Sequence, residues 1–139
     1  MVRFLLKQGF SVFMISWRNP DASMADTSFE DYVLKGVLAA VEATRAFCGA
    51  PQVHAIGYCL GGTALAMLMA WLNREYEGRP GMPIASWTML ASLVDFSRAG
   101  EIESFINDEG IRKIEEELAS RGYLDGREMS MTFRLLRPN

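Results

Sequence analysis

Cysteine, excess positive charge and long apolar runs are all scarce in this sequence, and each scarcity excludes a class of protein. Two cysteines, Cys48 and Cys59, are too few for a disulfide framework, and a reducing compartment would keep both as thiols. The formal net charge is −3 and no basic stripe is present, so we expect no nucleic-acid partner. The longest unbroken apolar run, residues 64–72, is far shorter than the roughly 20 residues of a membrane-spanning helix. The composition therefore predicts a cytoplasmic protein with no membrane span.

Hydrophobic residues make up 50% of the chain, and their spacing alternates between strand and helix patterns. Buried parallel strands are predicted over residues 11–17, over residues 53–58 and within residues 84–94. Helices are predicted over residues 2–8, from the Thr27–Glu30 capping box to Gly49, over residues 60–75, and between Glu109 and Gly122. This order predicts an α/β fold in which helices cross over between parallel strands.

The apolar residues of each predicted helix indicate which of its faces is buried in the core. In the second helix the core face is formed by Val33, Leu34, Val37, Leu38 and Val41, with Phe47 closing it and Cys48 as core filler. The helix over residues 60–75 is apolar nearly all round, which predicts burial on every side. In the last helix the apolar face is Ile111, Ile114 and Leu118, and Glu109 and Lys113 are spaced for an i,i+4 ion pair.

Three strands and a helical tail do not complete a domain of this class. Parallel strands need helices on both faces, and both edges of a three-stranded sheet would be open. The strand and helix alternation also stops beyond Asp95. We therefore expect residues 1–94 to be part of an α/β core, and the chain to be a piece of a longer protein.

One short motif carries chemistry. Gly57, Tyr58, Cys59, Leu60 and Gly61 have the form G-x-C-x-G between a predicted strand and a predicted helix. This is the pattern of a nucleophile elbow, in which glycines leave room for a strained reactive residue, and Gly62 extends the run of small residues. We predict that Cys59 is a nucleophile, favoured as thiolate by the helix amino terminus, and that the Leu60 amide stabilises an oxyanion. The alternative is a non-catalytic buried thiol on a glycine-rich turn.

Cysteine rather than serine in the elbow indicates a reaction class. Moving an acyl group from a thioester to a thiol is nearly isoenergetic, so the enzyme-bound acyl group stays activated for the next transfer. A serine would form a more stable oxygen ester, which suits hydrolysis. The motif therefore favours thioester-dependent acyl transfer, with a thiol hydrolase of the dienelactone-hydrolase type as the alternative.

The partners of such a nucleophile are missing from the pattern. His54 is the only histidine, and five strand residues place it roughly 16 Å from Cys59, too far to act as its base. Asp95 follows the third predicted strand at the edge where an acid could lie, but capping of local amides is the favoured interpretation, because no histidine is there for it to orient. Asp21, in an Asn-Pro-Asp turn, has the same two interpretations.

The ordered motifs resemble those of bacterial poly(3-hydroxyalkanoate) synthases, over nearly the whole chain. The resemblance rests on residues 16–21 (SWRNPD), residues 57–63 (GYCLGGT), residues 93–96 (LVDF), residues 105–109 and residues 134–139 (RLLRPN). The GYCLGG box is more similar to that of synthases for short-chain monomers. The family resemblance implies a partial α/β-hydrolase fold over residues 1–94 and the beginning of a helical cap or lid over residues 95–139.

The resemblance also implies an activity. The family polymerises (R)-3-hydroxyacyl-CoA into an intracellular polyester with release of CoA, and Cys59 matches its acyl-carrying nucleophile. CoA thioester is then the substrate, and we expect neither a cofactor nor a metal. The catalytic Asp and His would lie downstream of Asn139, and a second oxyanion donor upstream of Met1, so the chain alone is expected to be inactive. The expected partners are the growing polyester, the surface of polymer granules in the cytoplasm, and a second copy in a homodimer of the full-length enzyme.

Overall fold

The computed structural model describes residues 1–98, 100, 108–124 and 126. Its helices are α1 (Val2–Lys7), a 3-10 turn (Ala22–Met24), α2 (Phe29–Asp31), a π-helical segment (Tyr32–Leu38), α3 (Ala39–Cys48), α4 (Leu60–Glu75) and α5 (Asp108–Arg121). Its strands are β1 (Val53–Tyr58) and β2 (Ile84–Leu90). We call α2, the π-helical segment and α3 together the first long helix, because they follow one another without interruption. Helices and a small parallel sheet are compatible with the predicted α/β class.

The sheet consists of β1 and β2, which pair in parallel from Val53 opposite Ile84 to Tyr58 opposite Leu90. A register irregularity falls between Val53 and His54. The prediction of strands at these two places is confirmed, and so is their parallel direction. Since α4 follows β1 directly and packs against both strands, it forms the crossover between them.

The predicted buried strand over residues 11–17 is wrong. The segment is neither strand nor helix, and Phe13, Met14 and Trp17 are 47%, 75% and 48% exposed. A strand needs a neighbour to pair with, and within the described residues β1 and β2 are hydrogen-bonded only to each other. The segment lies instead along the first long helix: the Phe13 ring meets Phe47 edge-on at 5.5 Å, and the Trp17 ring covers Gly36.

The first long helix begins one residue later than the predicted capping box. Ser28 Oγ accepts a hydrogen bond from the Asp31 amide at 3.1 Å, and Asp31 Oδ2 accepts one from the Ser28 amide at 2.9 Å. The predicted Thr27–Glu30 pair is therefore wrong, because the Thr27 amide is already bonded to the Met24 carbonyl in the preceding turn. The helix ends at Gly49 as predicted, with a left-handed φ of 61°.

The core lies between the first long helix, α4 and the sheet. It contains Val33, Val37, Val41, Ala64, Leu65, Leu68, Leu72 and Ile84, with Leu34 and Leu38 packed against it. Phe47 was predicted to close the face but is 81% exposed, because six residues beyond Val41 the helix has turned by roughly 240°. Cys48 was predicted to be core filler and is also exposed, since α3 ends at it and no described residue covers the thiol.

The prediction that α4 is buried on every side holds for one face only. Leu65, Leu68 and Leu72 face the core, whereas Leu60 and Met67 are 58% and 47% exposed. The described elements that contact α4, the sheet and the first long helix, cover only that one face. A helix that is apolar all round therefore keeps an uncovered apolar side in this part of the chain.

Helix α5 agrees with its predicted features. Lys113 Nζ lies 2.8 Å from Glu109 Oε1, and Gly122 ends the helix with a φ of 78°. Its apolar face, Ile111, Ile114 and Leu118, is 43%, 43% and 38% exposed. The motif residues 105–107 and 134–139 lie outside the described residues, and the division at residue 95 into core and cap stays a prediction. None of the helices in the described ranges combines the length and hydropathy of a membrane span.

Candidate active site

Cys59 is the single residue at which the sheet ends and a helix begins. Its amide donates to the Leu90 carbonyl at 3.0 Å, which adds one more bond to the ladder between β1 and β2. Its carbonyl accepts from the Gly62 amide at 2.9 Å and from the Thr63 amide at 3.3 Å, which are the first bonds of α4. The whole change of chain direction therefore takes place at one α-carbon.

This change requires an unusual backbone conformation. Cys59 has φ 52° and ψ −125°, a region that residues with a side chain rarely adopt and that costs of the order of 1–3 kcal/mol. The described residues include only one other non-glycine residue with positive φ, Ala91, which directly follows Leu90. Strain of this kind persists only where surrounding bonds enforce it, and it is typical of nucleophile elbows.

Two of the three predicted elbow glycines leave no room for a side chain, Gly57 because of neighbouring backbone and Gly62 because of the Ser92 side chain. A β-carbon on Gly57 would lie 2.5 Å from Gly62 Cα and 2.6 Å from Gly61 O. A β-carbon on Gly62 would lie 1.9 Å from Ser92 Oγ. Gly61 is different, because nothing lies within 4 Å of its added β-carbon, so the expectation of a collision there is wrong. The strand end and the helix start thus touch through positions 57 and 62.

The arrangement leaves both the thiol and a hydrogen-bond donor accessible. Cys59 is exposed at the amino terminus of α4, a 16-residue helix. Among the described residues nothing accepts a hydrogen bond from the Leu60 amide, the first amide of that helix. An exposed thiol and a free backbone donor thus lie on adjacent residues, and these are two of the groups that acyl transfer through a tetrahedral oxyanion uses.

Comparison with known proteins gives relatives that span the whole chain. It is 39% identical over 139 residues to a poly(3-hydroxyalkanoate) polymerase of Methylorubrum extorquens, which covers 100% of this chain and 22% of the relative. It is 38% identical over 136 residues to a poly(3-hydroxyalkanoate) polymerase subunit of Rhizobium etli (98% and 21%), and 37% identical over 145 residues to one of Cupriavidus necator (100% and 24%). No protein-family model matches the chain.

Over its whole length the chain is similar to proteins named as poly(3-hydroxyalkanoate) polymerases. It spans about a quarter or less of the length of the polymerases it matches. The strand, elbow and helix described above are therefore features of a segment that aligns with polymerases from end to end.

The structure does not bring His54 to Cys59. His54 lies at the start of β1, five residues before Cys59, and its Nδ1 is 2.7 Å from Ser86 Oγ on β2. A cross-strand pair between two exposed side chains accounts for it. Within the described residues no cluster of three or more His, Cys, Asp or Glu is arranged to hold a metal ion.

The two candidate carboxylates, Asp95 and Asp21, accept hydrogen bonds from nearby backbone amides. Asp95 Oδ1 accepts from the Ser97 amide at 2.9 Å, and this bond together with one from the Ser97 hydroxyl lowers the Asp95 pKa. Asp21 caps the 3-10 turn by accepting from the Ser23 hydroxyl and amide, and it pairs with Arg18; these contacts lower its pKa. Both carboxylates are engaged in the turn contacts that were their non-catalytic interpretation.

Two further residues of the site, Thr63 and Ser92, were not predicted from the sequence. Thr63 is 9% exposed, and its hydroxyl donates to the Leu93 carbonyl at 2.6 Å. Ser92 fills the space beside Gly62, and its hydroxyl donates to the Leu90 carbonyl at 3.1 Å. The signal available in the sequence was one threonine in the apolar first turns of α4, but its partner lies 30 residues away.

Proposed function

We propose that this chain carries the nucleophile of a poly(3-hydroxyalkanoate) polymerase, an acyltransferase, and that Cys59 is that nucleophile. The observation that supports it most is the conformation of Cys59, a strained and exposed residue between β1 and α4. The relatives named as polymerases support the substrate class, an (R)-3-hydroxyacyl-CoA thioester. The short-chain form of that substrate is proposed from the GYCLGG box alone.

The proposed reaction has two transfers at the same sulfur atom. The Cys59 thiolate attacks the thioester carbonyl carbon, a tetrahedral oxyanion forms, and the bond to the CoA sulfur breaks, so that CoA leaves as a thiolate. The hydroxyl of a growing chain or of a second monomer then attacks the Cys59 thioester. An ester bond forms, the hydroxyl proton goes to a base, and the Cys59 thiolate is restored.

The Leu60 amide is proposed to stabilise both tetrahedral intermediates. It follows Cys59 directly, lies at the amino terminus of α4, and has no acceptor among the described residues. A donor that is already oriented needs no rearrangement when negative charge develops on the oxygen. The α/β-hydrolase fold proposed for the complete core would contribute a second donor from another loop.

The proton-transfer groups are proposed to lie outside these 139 residues. His54 is held by Ser86 at the far end of β1, and Asp95 and Asp21 are engaged with local backbone. We therefore propose a catalytic Asp and His in the remainder of the full-length protein, and an inactive isolated chain. A cap beginning near residue 95, a homodimer and a cytoplasmic granule surface complete the proposal.

The test uses full-length protein with (R)-3-hydroxybutyryl-CoA. Cys59→Ala should abolish both CoA release and the acylated protein seen by intact mass, with a loss on the order of 10³-fold or more, since removal of a nucleophile costs this much. Cys48→Ala is the matched control, because it removes the other exposed thiol, and it should stay near the wild-type rate. Polymer formation by Cys59→Ala would refute the proposal. CoA release without polymer by the wild-type protein would indicate a thiol hydrolase.

A further inference from the structure

The last residue of β2 and the loop after it, together residues 90–93, contact the elbow at several points. The Leu90 carbonyl accepts from the Cys59 amide at 3.0 Å, and the Leu93 carbonyl accepts from the Thr63 hydroxyl at 2.6 Å. Between them the Ser92 side chain occupies the space that a β-carbon on Gly62 would need. Residues 59–63 and residues 90–93 therefore form one contact surface, although 30 residues separate them in the chain.

Thr63 connects this loop to Cys59. Its amide donates to the Cys59 carbonyl at 3.3 Å, while its hydroxyl donates to the Leu93 carbonyl. It is the one polar side chain among the buried residues described, whereas its neighbours on that face of α4 are Ala64, Leu65 and Leu68. A valine would fill the same volume without a donor, so the hydroxyl is used for its hydrogen bond and not for packing.

The two strained residues lie on either side of a single hydrogen bond. Cys59, with φ 52°, donates its amide to the Leu90 carbonyl, and Ala91, with φ 48°, follows that carbonyl in the chain. Because neither residue is a glycine, neither conformation is favoured locally. Cys59 is bonded to Leu90 directly, and Ala91 lies between Leu90 and Leu93, whose carbonyls accept from Cys59 and from the Thr63 hydroxyl.

We propose that Thr63 is a positioning residue for Cys59. By holding Leu93 it keeps the Leu90 carbonyl against the Cys59 amide, and so maintains the orientation of the thiol and of the Leu60 amide. This inference rests on the proposed role of Cys59. Misplacement of a reacting group by about 1 Å lowers rates by up to about 100-fold without removing any reactive atom.

Three variants of the full-length protein test the proposal. Thr63→Val removes the hydroxyl and keeps the volume, and we expect kcat to fall about 10- to 100-fold while KM changes by less than about twofold. Thr63→Ser restores a hydroxyl and should recover most of the rate. Thr44→Val is the matched control: Thr44 also donates its hydroxyl to a backbone carbonyl, that of Ala40 at 2.7 Å, but on α3. Its kcat should equal that of the wild type.

Two kinetic results would overturn the positioning role. One is an unchanged kcat in Thr63→Val, and the other is an equal loss in Thr63→Val and Thr44→Val, which would mean general destabilisation. A measurement without substrate separates this inference from the proposed function. The ratio of iodoacetamide alkylation rates at Cys59 and Cys48 should shift in Thr63→Val and return in Thr63→Ser, even if Cys59 is never acylated; an unshifted ratio refutes the positioning role.

Discussion

Substitution of two elbow glycines by alanine should change stability in opposite directions, although both add the same methyl group four residues apart. At Gly57 the new β-carbon would meet Gly62 Cα at 2.5 Å and Gly62 N at 2.7 Å. Real β-carbons almost never come closer than 3.0 Å, so the start of α4 has to move by about half an ångström. At Gly61 the same methyl group points into open space.

The free energies follow from these contacts. Overpacking against backbone costs about 1–3 kcal/mol, and the lower entropy of an unfolded alanine returns about 0.4–1 kcal/mol, so Gly57→Ala should lose about 1–2 kcal/mol. Gly61 is in the first turn of a helix without positive φ, where alanine is favoured over glycine by about 0.5–1 kcal/mol. The two variants should therefore differ by about 2 kcal/mol.

Urea unfolding of the two full-length variants, followed by tryptophan fluorescence and circular dichroism, measures this difference. The pair controls itself, because composition, length and charge are identical in the two proteins. The reasoning fails if Gly57→Ala is as stable as Gly61→Ala, since strand and helix would then not be in backbone contact at position 57.

Two further perturbations test the non-local and local bonds around the same fold. Gly62→Ala places a β-carbon 1.9 Å from Ser92 Oγ, so it should cost about 1–3 kcal/mol, and Ser92→Gly should relieve that cost in a double-mutant cycle; additive losses in urea unfolding would contradict the contact. Bonds from Lys35 and Ser28 lower the Asp31 pKa from 3.8 to about 2, so this carboxylate stabilises the fold above about pH 4 and stops doing so as the pH falls toward 2. Asp31→Asn should therefore destabilise at pH 7 by chemical denaturation, and a difference from wild type that persists undiminished near pH 2 would argue against this origin.

The parts of the fold that sequence predicts well are those whose signals are local. The bounds of β1 and α4 agree with the predicted residues 53–58 and 60–75, because an apolar run, an elbow motif and a long apolar helix follow each other without a gap. The end of the first long helix at Gly49 is equally local, since it depends on one residue with positive φ.

Most of the predictions that were wrong concern tertiary contacts. Residues 11–17 have the composition of a buried strand, but a strand forms only where a neighbour offers its backbone groups, and composition cannot report that. Cys48 ends an amphipathic helix, and its burial depends on whether another element reaches that far. Phe47 is different, because the rotation of the helix already turns it away from the core face. The uncovered side of α4 has the same cause as the exposure of Cys48, because apolar residues show that a surface can be buried and not what covers it.

The same difference between local signals and tertiary contacts applies to the candidate site. The G-x-C-x-G pattern locates the strained residue, Cys59, but it does not identify what holds that residue in place. The three glycines of the motif are not equivalent. A β-carbon at Gly61 would point into open space, whereas one at Gly57 would meet backbone and one at Gly62 would meet Ser92. The bonds that enforce the conformation come from Leu90 and Leu93, in a second strand and its loop. The conformation of Cys59 is therefore a property of two segments in contact, and a transplanted peptide of residues 57–63 without the second segment would not reproduce it.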